Sequence, residues 1–249
     1  MDQLIQLRSD PRHMMKRHNW RAARAGLMAA GLLAGGGLAQ TAPKGPGLAT
    51  VLAQLDRAAR RIHTVSASAV SSQYTAVVDD LAVKSGQLDF EKTSHGPWLR
   101  LNFTQPAPEV FLYRGGMGWI YQPRIAQVQK YNLKKHKTAL SAFLLLGLGE
   151  SGRALRRRFE IQDLGEGMQG GKPRVELNLI PRDVKVRGNV NQIHLWFDPH
   201  TWIAVRQKYF QSRGDYRLLR LAHIRINPRL NGHLFQPHFP GAKVVSPHF

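Results

Sequence analysis

The sequence contains no cysteine. That excludes disulfides, thiolate metal sites and a cysteine nucleophile, and it denies the chain the acylated cysteine of a lipoprotein. An oxidising compartment is compatible with this composition but not required by it. Acidic residues are scarce, 16 against 36 lysines and arginines, for a formal net charge of +20 over 249 residues. With so few carboxylates, none forms an evident catalytic pair along the chain. Catalytic signatures are missing as well. The 11 histidines contain no HExxH. Glu166 to Lys172 misplaces the first glycine of a phosphate loop, and Pro173 follows its lysine. Ser151, in Gly-Glu-Ser-Gly, lacks the spacing of a nucleophile elbow. His194, Asp198 and His200 come nearest to a metal cluster, but Asp198-Pro199 already reads as a turn. No metal, cofactor or catalytic residue is expected, and the chain reads as a binding protein rather than an enzyme.

What is present begins with a secretory pattern. Lys16, Arg17, Arg21 and Arg24 make a basic stretch, Gly26 to Ala39 is an apolar run, and Gly37-Leu38-Ala39 offers a small-residue cleavage site. The run has 14 residues, short of the ~20 that span a bilayer comfortably. A retained anchor or a buried helix is the competing reading. Either Met14 or Met15 is an alternative start. Loss of residues 1–39 would remove six basic and two acidic residues and leave a charge of +16. Charge alone favours nucleic acid among polyanions. An exported basic protein instead meets anionic lipid and lipopolysaccharide first, so no nucleic-acid partner is expected.

Residues 40–47 are a Pro/Gly-rich linker, and 48–249 form one domain. Leu48, Val51, Leu52, Leu55, Ala58, Ala59 and Ile62 recur at helical spacing, with Thr50 as a candidate cap and Arg57, Arg60 and Arg61 on the opposite face. From Thr64 the period changes to two. The stretch Gly86 to Pro123 is a meander of short strands. In it Leu99, Leu101 and Phe103 share one side while Trp98, Arg100 and Asn102 share the other. Arg114-Gly115-Gly116 marks a tight hairpin, and Trp119-Ile120-Tyr121 is a continuous apolar strand. Thr138 to Gly149, with Phe143, Leu144, Leu145 and Leu146, is an apolar segment that reads as a core helix or a lid. Further strands follow, with Gly165 to Lys172 as a loop between two of them.

The residues Thr104-Gln105-Pro106, Arg114-Gly115-Gly116 and Trp119-Ile120-Tyr121-Gln122-Pro123 give the chain a resemblance to the periplasmic outer-membrane lipoprotein carrier proteins, the LolA type. The ending from Leu234 to Val245 is similar to that family's closing motif. The resemblance implies an α+β fold: an open, strongly curved antiparallel β-sheet, or half-barrel. An N-terminal helix and short lid helices would cover its concave apolar face. It implies a lipid-binding lining of Leu99, Leu101, Phe103, Phe111, Trp119, Tyr121, Phe143, Leu144, Leu145 and Leu146. His95 falls where the family usually holds a lid-latching arginine, so His95 and Arg100 are the latch candidates; a surface turn is the plain reading of His95. The partners implied are acylated lipoproteins or other lipid cargo, an inner-membrane release complex and an outer-membrane acceptor. Transient contact with a membrane surface and a monomeric state are also expected. A carrier of another, anionic amphiphile and an envelope sensor of the same fold are the alternatives; the sensors of this type carry a second domain.

Overall fold

The computed structural model describes residues 45–133 and 147–246. In chain order these form α1 (Leu48–Arg61), β1 (Thr64–Thr75), β2 (Asp80–Thr93), β3 (Gly96–Gln105), β4 (Glu109–Arg114), β5 (Met117–Gln122), β6 (Gln127–Asn132), α2 (Gly152–Arg158), β7 (Phe159–Gln169), β8 (Lys172–Pro181), a single helical turn α3 (Val184–Arg187), β9 (Val190–Phe197), β10 (Ala204–Gln211), β11 (Tyr216–Ile226) and β12 (Lys243–Val245). The strands make one sheet in the order β12-β6-β5-β4-β3-β2-β1-β11-β10-β9-β8-β7. Neighbours are antiparallel, except that β12 joins β6 in parallel. The sheet is open: β12 and β7 end it without pairing to each other. This is the half-barrel expected from the sequence.

Alternation decides the faces. Val65, Ala67 and Ala69 of β1 lie opposite Phe90, Leu88 and Gly86 of β2. Leu88 and Phe90 in turn lie opposite Leu101 and Leu99 of β3. Beyond β11 and β10, the same face carries Ile193 and Leu195 of β9 and Leu179 and Leu177 of β8. These residues share one core with Val51, Leu52, Leu55 and Ala58 of α1, so α1 covers the concave face. Each Val, Leu, Ile or Phe side chain among them contributes about 1.5–3 kcal/mol on burial. Gly47, not Thr50, is the N-cap of α1, and no side chain caps it. At the other end Lys92 Nζ donates to Ala59 O at 2.8 Å, placing a cation where the helix dipole is negative.

Glycine is required at two places that shape this face. Gly115 and Gly116 have φ of 60° and 79°, the left-handed pair of a two-residue hairpin that matches strand twist. A Cβ on Gly86 would lie 2.0 Å from Asn102 O, at a register shift between Ser85 and Gly86. The expected loop at 165–172 is not one. There β7 runs on to Gln169 through a register shift between Asp163 and Gly165, and the turn is confined to Gly170 and Gly171, both at positive φ. Interior glycines made the strand look like a loop; bulges tolerate them.

After β11 the chain crosses the convex face. Asn227 anchors this departure: its Oδ1 accepts from the His63 and Thr64 amides, at 2.8 and 3.3 Å, and its Nδ2 donates to Arg61 O. Phe235 is fully buried against Trp98, with ring centroids 5.8 Å apart. Arg114 stacks over the Trp98 ring at 4.1 Å and donates to Phe235 O. Phe239 meets Tyr121 before β12 reaches the sheet edge. The closing segment is therefore a strap over the convex side.

Candidate functional site

Where α1 does not reach, the concave face holds a cavity of about 150 Å³. Its apolar lining is Leu101 and Phe103 of β3, Phe111 of β4 and Ile120 of β5. Register explains why these meet: Leu101 faces Phe111, and Phe111 faces Ile120. Ser71 and Gln73 of β1, Ala82 and Lys84 of β2, Glu109 of β4 and Arg217 of β11 complete the wall. Lys84 Nζ and Glu109 Oε1 form an ion pair at 2.7 Å. Arg217 keeps much of its surface in water, yet desolvation at its guanidinium lowers its pKa, with Glu109 acting the other way. The site is thus an apolar pit with one anion and two cations on its polar side. It has the means to hold an apolar group and to meet a charged one.

Of the ten lining residues expected from the sequence, Leu101, Phe103 and Phe111 line this cavity. Leu99 is on the same face but is fully buried in the core. Trp119 and Tyr121 are corrections. They lie opposite Leu112 and Val110, on the convex face, and Tyr121 packs on Phe239 of the strap. A continuous Trp-Ile-Tyr run carries no alternation of its own, so only the hairpin register reveals that Ile120 is the inward residue. Phe143, Leu144, Leu145 and Leu146 lie outside the described residues. Just after them Leu148 is buried in the concave core, and Gly147 O accepts from the Ala204 amide at 3.0 Å.

The latch candidates do not reach the cavity. His95 is an exposed turn residue between β2 and β3 whose amide donates to Thr93 Oγ1. Arg100 lies opposite Asp89 and Leu112, on the convex face, the side that strand alternation assigns to it. The cation that does hold a helix there is Lys92. Its signal in the sequence was its place two residues after Phe90 on the same face.

The remaining polar candidates have structural employment. Asp198 Oδ1 accepts from the His200 and Thr201 amides, while Oδ2 meets Arg174 Nη1 at 3.1 Å. His194 stands between the rings of Trp196 and Phe210, and burial there lowers its pKa. Ser151 is the N-cap of α2, accepting from the Ala154 amide. Among the described residues no three His, Asp or Glu side chains gather as a metal site, and no helix is long and apolar enough to cross a membrane.

A half-barrel with a helix in its trough and an apolar pit beside it is an architecture suited to binding an apolar group. The match to the family of outer membrane lipoprotein carrier proteins, LolA, extends over residues 63–238, and the chain belongs to that family. Among solved structures, an uncharacterized conserved protein from Thermus thermophilus shares 9% identity at a TM-score of 0.50, covering 80% of this chain and 99% of that one. A chain of the Pseudomonas aeruginosa MucA/MucB complex is similar at 15% identity and a TM-score of 0.46, over 80% of this chain and 64% of the other. LprF from Mycobacterium bovis is similar at 13% identity and 0.44, over 75% and 96%. These likenesses concern the fold. Compared with curated protein sequences, the chain finds no match.

Proposed function

We propose that the protein is a periplasmic carrier that shields the acyl chains of lipoproteins and moves them from the inner to the outer membrane. The observation that carries this reading is the pit lined by Leu101, Phe103, Phe111 and Ile120 on the concave face. Each methylene buried there gains about 0.8 kcal/mol, a force that ignores the identity of the attached protein. At about 150 Å³ the pit matches a cavity that binds benzene. It takes the end of one chain, and a longer cargo must displace side chains of α1 that fill the rest of the trough. Residues 1–39 act as the export signal in this reading, a release complex and an outer-membrane acceptor as the partners. Lys84 and Arg217 beside the pit favour one second reading, a carrier of an anionic amphiphile.

Native mass spectrometry on protein purified from periplasm without detergent tests both. Bound triacylated lipoprotein at one to one is the expected result. A bound phospholipid moves the assignment to the anionic amphiphile. Protein recovered empty, and still empty after incubation with acylated peptide, overturns both.

A further inference from the structure

Helices α1 and α2 carry the same pattern on their outer faces. In α1 it is Arg57-x-x-Arg60-Arg61, and in α2 it is Arg153-x-x-Arg156-Arg157. Spacings of three and four residues put each trio on one helical face. All six residues are exposed. None joins an ion pair among the described residues, whose three pairs are Lys84–Glu109, Arg158–Glu150 and Arg174–Asp198.

The two helices are held in direct contact along Leu52 and Gly152. A Cβ on Gly152 would sit 2.6 Å from Leu52 O, so only glycine permits this approach. Asp56 Oδ1 accepts from the Arg153 amide at 3.3 Å, so the one carboxylate in the groove is committed to the start of α2. The groove has a volume of about 490 Å³, with Ala49, Ala53 and Gly152 as small floor residues and Arg153, Arg156 and Arg157 as its wall. A second hollow of about 420 Å³ lies along Arg57, Arg60 and Arg61.

We propose that this two-helix arginine face docks the protein on an anionic phospholipid surface. Six like charges with one committed carboxylate call for an anionic counterpart, and their spread over two helices suits a surface better than one small ion. Guanidinium groups grip phosphate with paired N–H donors and shed water more readily than ammonium groups. The small floor leaves room for a headgroup to sit between the walls. Both helices lie on the concave side, the side that holds the pit, so docking by this face turns that side toward the bilayer. The proposal does not rest on the identity of any cargo.

The test is co-sedimentation of the full chain with vesicles, either of phosphatidylglycerol mixed with phosphatidylcholine or of phosphatidylcholine alone. Wild type is expected to favour the anionic vesicles, and to lose that preference as salt rises. A triple variant, Arg57→Gln, Arg153→Gln and Arg156→Gln, is expected to bind on the order of 100-fold more weakly, from the usual contribution of each basic residue near an anionic surface. Among the described residues none of these side chains makes a hydrogen bond or ion pair that holds the fold, and circular dichroism checks that it persists. A control removes equal charge elsewhere, by Arg124→Gln, Arg220→Gln and Arg229→Gln, and is expected to lose less than tenfold. Equal losses in the two triples would reduce the face to generic charge and overturn the proposal. Vesicle binding unchanged in the first triple, with binding to polyglutamate lost, would assign the face to an acidic protein instead. Because no cargo is present, failure here leaves the carrier reading untouched, and an empty pit leaves this one untouched.

Discussion

Glu150 is a carboxylate in a poor place for charge. Its side chain is 17% exposed. One oxygen pairs with Arg158, and the other, Oε2, is buried without a partner among the described residues. Burial raises its pKa above the usual 4.5, and Arg158 only partly opposes this. The native state therefore holds this proton to a higher pH than the unfolded chain does. Between the two pKa values it binds more protons, so this group's contribution to stability falls as pH rises from about 4.5. Glu150→Gln should match wild type at pH 4 and exceed it at neutral pH by about 1 kcal/mol, the low end of the cost of a buried unsatisfied group. Denaturant unfolding at several pH values measures this. A variant less stable than wild type at neutral pH would show that the Arg158 pair outweighs burial. Asn227 is the opposite kind of residue, exposed yet fully employed by three hydrogen bonds at φ 55°, a conformation asparagine tolerates better than most residues.

At the scale of elements, what the sequence made legible were units with a clean period. Helix α1 was legible because its apolar positions recur every three or four, although its cap, read at Thr50, lies at Gly47. The strands of the meander showed themselves by alternation and by the Gly115-Gly116 hairpin. Trp119 and Tyr121 were misplaced because three large apolar residues in a row contain no phase. The strap was illegible for a different reason. Phe235 and Trp98 are far apart in sequence, and neither lies in a periodic pattern that points to the other. Yet Phe235 is fully buried, and its own carbonyl holds Arg114 over Trp98. Phe235→Ala should cost about 3–5 kcal/mol, as a large core deletion does, and should speed amide exchange in β3 and β4. A loss under about 1 kcal/mol would mean that the segment closes over the gap and the strap adds little to the sheet.

The whole molecule joins two demands on one face of one sheet. The trough must be apolar enough to fold around α1, and in the proposed carrier part of it must stay unfilled to receive a ligand. The sequence showed the apolar demand but not the division between core and pit, since Leu99 and Leu101 look alike along β3. Both are buried in one core, but Leu101 lines the pit and Leu99 does not. Substitutions can then be chosen by side of the sheet. Leu101→Glu puts a charge into the pit and should abolish acyl binding. Because Leu101 is only 4% exposed, this variant could fail by unfolding, so a second one is needed. Ala82→Trp suits that purpose, since Ala82 is exposed at the wall of the pit and a large ring there fills space without disturbing the core. Tyr121→Gln, on the convex face, is the control. Displacement of a fluorescent fatty acid should fall at least tenfold for Ala82→Trp and change less than twofold for Tyr121→Gln. The tenfold loss corresponds to about two methylenes of lost burial. If Ala82→Trp binds as wild type does while Tyr121→Gln does not, the ligand lies under the strap, and the concave pit is a packing defect rather than a site.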